Sequence, residues 1–131
     1  MAYVSIKYKN FSFEENPGFI TWLQLFLLRL LAEKADAPEW TANLVEEWEL
    51  NVQIEVYKYF FDDELLDDTD KEKWAISFIT DALTKLDNLS LEQFGVFINE
   101  AIDREVDYTR VKKILLNVLR MLQNIEPLAT Y

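Results

Sequence analysis

The sequence predicts an all-α fold: a compact bundle of about five helices preceded by an extended N-terminal arm. Three observations carry that expectation. Residues 19–31, FITWLQLFLLRLL, are interrupted only by Thr21, Gln24 and Arg29, so a helix built from them is apolar on nearly every face and belongs in the middle of a bundle. A membrane span needs roughly 20 such residues, and this run ends at Ala32-Glu33-Lys34. Downstream, apolar residues recur at helical spacing behind residues that cap helix starts. Finally, two glycines and three prolines in 131 residues are few for the many tight turns of a β-sandwich or barrel. The expected organisation is one domain over 1–131, with an arm at 1–15, a bundle at 16–126 and a tail at 127–131.

Taken in order, residues 2–13 alternate in part, with Val4, Ile6 and Tyr8 on one side and Ser5, Lys7 and Lys9 on the other. Period two marks an extended segment, either a short strand or an arm pinned across the bundle by Phe11 and Phe13. The other alternating stretch, Val52 to Val56, fits a helical pattern better, which leaves such a strand without an evident partner and argues against a sheet. Asn16-Pro17 starts the first helix, Asn by capping free amides and Pro by its pre-set φ. Asp36-Ala37-Pro38 stops it near Ala35. The second helix is expected from Pro38 to about Phe61 and to be the longest, burying Trp40, Leu44, Val45, Trp48, Val52, Val56, Tyr59 and Phe60.

Asp62 to Asp70 reads as a loop or frayed turn anchored by Leu65 and Leu66, because stacked carboxylates repel and Asp is a poor helix former. Thr69-x-x-Glu72 is a capping-box pattern that launches a third helix, about 70–86, burying Ala75, Phe78, Ile79, Ala82, Leu83 and Leu86. Ser90-x-x-Gln93 is a second such pattern, with a fourth helix expected to run to Arg104 and Gly95 marking a close crossing. Asp107 caps the fifth helix, whose stripe is Val111, Ile114, Leu115, Val118, Leu119, Leu122 and Ile125. Arg110, Lys112, Lys113 and Arg120 form its basic face, and Pro127 ends it.

The chain has no cysteine and no histidine, which removes disulfides, thiolate sites, the commonest general base and the commonest metal ligand. The opening MAYVSIKYKN carries no secretory h-region, so a cytoplasmic protein is the expectation. The net charge is −11, a field that repels nucleic acid and anionic membranes and attracts basic partners. Residues 33–72 contain 14 acids against 3 bases, a balance of −11 that equals the whole net charge. The acidity is therefore local.

Within that segment, Glu46-x-x-Glu49 places two carboxylates one turn apart, and Glu64-x-x-Asp67 follows. This pattern resembles the paired acidic motifs of the all-α nucleoside-triphosphate pyrophosphohydrolases, over residues 44–67. The resemblance implies a Mg²⁺-dependent enzyme in which Glu46, Glu49, Glu64 and Asp67 hold the ion. The chain departs from that family at Asp68-Thr69-Asp70, where the family continues a helix, and offers no neighbouring Lys/Arg cluster for a triphosphate. The 62–70 stretch also lacks the glycine and terminal Glu of a Ca²⁺ loop.

The favoured expectation is a non-enzymatic binding surface with no cofactor and no bound metal. It comprises Glu46, Glu47, Glu49, Glu55, Asp62, Asp63, Glu64, Asp67, Asp68 and Asp70, with Tyr57, Tyr59 and Trp74 as aromatic contacts. Carboxylates around aromatic residues suit a partner with a Lys/Arg-rich cleft, such as a nuclease or another polyanion-binding enzyme. A small acidic helical protein of this kind is similar in profile to bacterial immunity proteins and antitoxins, which neutralise a cognate toxin. Two alternatives stand beside it: the pyrophosphohydrolase, and a structural subunit of a larger assembly. An aromatic-rich second helix also suits burial in a homodimer.

Overall fold

The computed structural model describes residues 3–129; Met1 and Ala2 of the arm and Thr130 and Tyr131 of the tail lie outside the described residues. The order is β1 (Val4–Tyr8), β2 (Phe11–Glu15), α1 (Pro17–Ala32), α2 (Thr41–Ile54), α3 (Thr69–Asp87), α4 (Leu91–Ile98) and α5 (Tyr108–Leu122). The molecule is helix-rich but not purely α.

The arm is a β-hairpin, which corrects the expectation that no sheet forms. β1 pairs antiparallel with β2 in a register that sets Val4 opposite Glu15 and Tyr8 opposite Phe11. The missing partner strand was the second half of the arm itself. Its turn, Lys9-Asn10, escapes notice because it lacks glycine; Lys9 takes the left-handed conformation at φ 52°, which few non-glycine residues do. Alternation does the rest: Ile6, Tyr8, Phe13 and Glu15 are buried while Lys7, Ser12 and Glu14 face out. The hairpin is tied to distant helices by polar contacts. Glu15, fully buried, pairs with Arg110 of α5 at 2.5 Å, and Glu72 of α3 accepts from Tyr8 Oη at 2.7 Å and Lys9 Nζ at 2.9 Å. Those two donors hold the Glu72 carboxyl below its ordinary pKa, the lysine first.

α1 begins as expected, with Asn16 Oδ1 accepting from Gly18 N at 2.7 Å. It packs against α2, α4 and α5, with Ile20, Leu23, Phe26, Leu27 and Leu31 buried. Phe19, Trp22, Leu25, Leu28 and Leu30 are half-buried against the same core. It is the central helix of the α2–α4–α5 side. Gln24 is fully buried among these residues and neither amide atom finds a hydrogen-bond partner among the described residues.

α2 departs most from expectation. It starts at Thr41, after i→i+3 turns from Pro38, Glu39 and Trp40, and ends at Ile54, so α3 with 19 residues is the longest helix. Glu55 takes the left-handed conformation at φ 55° and ψ 38°, the usual geometry of a helix stop. Beyond it, Val56 is exposed rather than buried, and Tyr57, Phe60, Phe61 and Leu66 enter the core from a non-helical chain. The reason lies in the carbonyls: Lys58 O accepts from Lys7 N of β1 at 2.8 Å, and Phe60 O accepts from the Trp48 indole at 2.6 Å. Tertiary partners replace the i→i+4 ladder in a run of aromatic and β-branched residues that favour helix weakly. The hydroxyls of Tyr57 and Thr21 hydrogen-bond to each other and hold the segment to α1.

α3 matches expectation except at its cap, where Asp68 rather than Thr69 accepts from Lys71 N, at 2.8 Å. α4 keeps its Ser90–Gln93 capping box but stops at Asn99, short of the expected Arg104, and Ala101 is exposed. Gly95 marks a close approach, but of the chain that turns back at the end of α4 rather than of a neighbouring helix: Glu100 N returns to Gly95 O at 2.9 Å, and a Cβ at residue 95 would lie 2.9 Å from Glu100 O. α5 is capped by Asp107 and ends at Leu122, leaving Ile125 exposed. Asn117, fully buried on α5, exchanges both amide bonds with the backbone of Leu128 and so fastens the tail.

An unbroken series of ring contacts joins α2, α3 and the segment at 57–66. Trp40 meets Trp74 edge-on at 5.1 Å, Trp74 stacks on Phe78 at 5.0 Å, Phe78 stacks on Trp48 at 6.4 Å, and Trp48 meets Phe61 edge-on at 5.6 Å. No helix among the described residues is long and apolar enough to cross a membrane. Trp48→Phe should cost about 3 kcal/mol, because it strands the Phe60 carbonyl and leaves unfilled volume. Urea unfolding followed by circular dichroism measures this, and a loss under about 1 kcal/mol would mean the segment is held elsewhere.

Candidate functional site

Glu46 and Glu49 stand exposed on α2, one turn apart, and Glu47 is half-buried beside them. At the helix end Glu55 is exposed, its direction set by the left-handed stop. The chain then dips inward at Tyr57 and again at Phe60-Phe61, and beyond these points it returns carboxylates to the surface. Asp62 organises that return. Its Oδ1 accepts from Glu64 N at 3.0 Å, its carbonyl accepts from Leu65 N and Leu66 N, and buried Leu66 anchors the turn as expected. Asp63, Glu64, Asp67, Asp68 and Asp70 are all exposed. Asp67 pairs with Lys71 at 3.0 Å and Asp68 caps α3. Among the described residues, no ion pair engages Glu46, Glu49, Glu55, Asp63, Glu64 or Asp70.

The three aromatic candidates are committed inside the chain. Tyr57 is buried with its hydroxyl on Thr21. Trp74 is half-buried between Trp40 and Phe78. Tyr59 is half-buried, and its hydroxyl lies within the electrostatic influence of both Glu47 and Asp62. In this small cluster two of the acidic candidates, Glu47 and Asp62, act on a shared group. Burial first, and then the charge of Asp62, push the Glu47 carboxyl above its ordinary pKa, against the lowering effect of the Tyr59 hydroxyl. The Tyr59 phenol is likewise raised, by burial and then by Glu47 and Asp62.

Large apolar residues are exposed at the same end of α2: Leu50 and Ile54, which periodicity did not single out, are each 53% exposed, and Val56, which it placed in the buried stripe, is 47% exposed. Leu50 and Ile54 are four residues apart and fall roughly opposite the Leu44–Trp48 stripe on a helix of 3.6 residues per turn. That i, i+4 pairing off the buried face was the available signal.

For the metal reading, Glu46 and Glu49 lie on a helix, whereas Glu64 and Asp67 lie in the irregular chain before α3. Among the described residues no group of three or more Asp and Glu is placed to hold a metal ion. The basic face of α5 is partly occupied: Arg110 pairs with Glu15, and Lys112 lies 3.4 Å from Asp87. No protein-family model matches the chain, and no curated protein or solved structure matches it.

The Glu47 shift gives a signed expectation. A carboxyl whose folded pKa is raised contributes stability that is fully present below its unfolded value and lost as pH rises through the folded value. Glu47→Gln removes that neutral-pH cost while retaining an acceptor for Tyr59. It should raise the melting temperature at pH 7, with the gain fading as pH falls through the raised folded pKa and gone below about 4.5, the ordinary carboxylate value. Thermal unfolding of both proteins between pH 3.5 and 7, by about half-unit steps, measures the difference.

Proposed function

We propose that this chain is a non-enzymatic acidic protein-binding module, most concretely an immunity- or antitoxin-like inhibitor that neutralises a cognate toxic enzyme by covering its basic surface. The observation that carries this reading is the set of outward carboxylates on α2, at its end and on the 62–70 turn, six of them, apart from the capping Asp68, without an ion pair among the described residues. Such a surface speeds encounter with a Lys/Arg-rich cleft and fixes its register. The absence of histidine and cysteine from the sequence narrows the catalytic groups to carboxylate, lysine, tyrosine and hydroxyl, which favours binding over catalysis as the role of this surface. In the chain's own cell the fitting location is the cytoplasm, where an inhibitor of this class meets its toxin before release.

The test begins with affinity capture of the tagged protein from its host, followed by reconstitution with the captured basic enzyme and an assay of that enzyme's activity. Stoichiometric inhibition supports the reading. Asp63→Lys with Glu64→Lys should then slow association about tenfold at 50 mM salt or less, and much less at 0.5 M, where charges are screened within a few ångströms. An association rate unchanged by the double reversal at low salt would move the binding surface away from the acidic segment.

A further inference from the structure

The contacts expected of Tyr57, Tyr59 and Trp74 are directed inward, so a partner arriving at the acidic surface needs another apolar anchor. Leu50 and Ile54 stand one turn apart on α2, half-exposed, and Val56 is half-exposed just past the helix stop. Leu50 and Ile54 adjoin by helical spacing, and adjoining exposed aliphatic side chains mark an interaction surface more often than do scattered ones. Glu46 lies one turn before Leu50, Glu49 is its neighbour in the chain, and Glu55 separates Ile54 from Val56. Beside Val56 a shallow recess of about 190 Å³ opens between Asn51, Lys58 and Tyr59.

We infer that the outer face of α2 receives a basic amphipathic segment of the partner, its apolar residues seated on Leu50, Ile54 and Val56 and its Lys or Arg side chains on Glu46, Glu49 and Glu55. The occupant follows from charge. A second copy of this chain would bring the same carboxylate frame against itself, and like charges facing across an interface cost several kcal/mol; a basic segment meets the frame with opposite sign. A bare polycation would satisfy the carboxylates and leave the three aliphatic side chains in water. The occupant must therefore carry both features, with apolar residues at the centre and cations at the rim, the arrangement of ordinary interfaces. A helix presenting apolar residues at i and i+4 matches the Leu50–Ile54 spacing.

This inference rests on the reading of the acidic segment as a binding surface, and the experiment separates the two. The ¹⁵N-labelled protein is titrated with two synthetic helical peptides of equal length and charge. Both are lysine-rich; one carries leucines at i and i+4 and the other serines in their place. Leu50→Ser with Ile54→Ser is the test variant, and because both side chains are exposed it should keep the native circular dichroism spectrum. The expected result is at least tenfold tighter binding of the leucine peptide, shifts concentrated at the amides of residues 46–59, and loss of that preference in the double variant. Equal affinity for the two peptides, or an unchanged preference in the double variant, would overturn the apolar anchor while leaving the acidic surface in place. Binding of neither peptide would overturn both readings. A dimer of the free protein that the double variant disperses would assign the face to a second copy and overturn the inference.

Discussion

The hydrogen bond from the Trp48 indole to the Phe60 carbonyl, fully inside the core at 2.6 Å, is the constraint on which the rest of this structure depends. It lets a non-helical chain pass through the interior. Backbone polar groups removed from water must be paired, and a segment that abandons the helical ladder has to find its partners elsewhere. Residues 57–66 find them in Trp48, Lys7 and the turn built around Asp62. With those bonds in place Phe60 and Phe61 reach β1 and α5, where they face Ile6, Val118 and Met121, while Trp48 stacks through Phe78 and Trp74 to Trp40. Hairpin and helices share one core because this segment lies between them.

The same passage shapes the acidic surface. Had α2 continued to Phe61, its carboxylates would have remained spread along a single helix. Stopping at Glu55 instead folds the chain back, so that Asp62 comes to lie against Tyr59 and Glu47. Burying part of a carboxylate next to another costs stability, and nothing in the core requires that cost. Proteins tend to retain such a cost at surfaces that do something. The exposed Leu50–Ile54 pair is a second departure from the least-cost surface, on the same element.

Much of this fold was legible because helix starts are chemically explicit. Asn16, Ser90 and Asp107 each carry a side-chain oxygen at the right place, and each caps a helix. The helix that is apolar on nearly all faces was readable for a similar reason. Ends were harder, since the residues that stop α2 and α4, Glu55 and Asn99, do so by adopting positive φ, and only the asparagine belongs to a type that does this readily. The hairpin was hidden because its turn is Lys9-Asn10 rather than a glycine turn, and the inward path of 57–66 because Tyr57, Phe60 and Phe61 keep helical spacing while their carbonyls bond across the molecule. At the candidate site the carboxylates were visible from charge alone. The outward Leu50–Ile54 pair left a signal in its spacing, whereas which aromatics face inward depends on tertiary partners that no local pattern encodes.

The buried pair between Glu15 and Arg110 joins residues 95 positions apart in the chain, and this bears on the order in which the protein takes shape as it is made. The hairpin precedes all five helices in the chain, yet its innermost carboxylate has no counter-ion until α5 follows. A charge without its partner resists removal from water, so Glu15 holds the hairpin off the nascent core. Docking of the hairpin thus waits for α5 and closes a loop of 95 residues, and long-range closure of that kind slows folding. During that interval Ile6, Tyr8 and Phe13 stay uncovered, which makes the newly synthesised chain more vulnerable to chaperone capture or to strand exchange than the finished protein is.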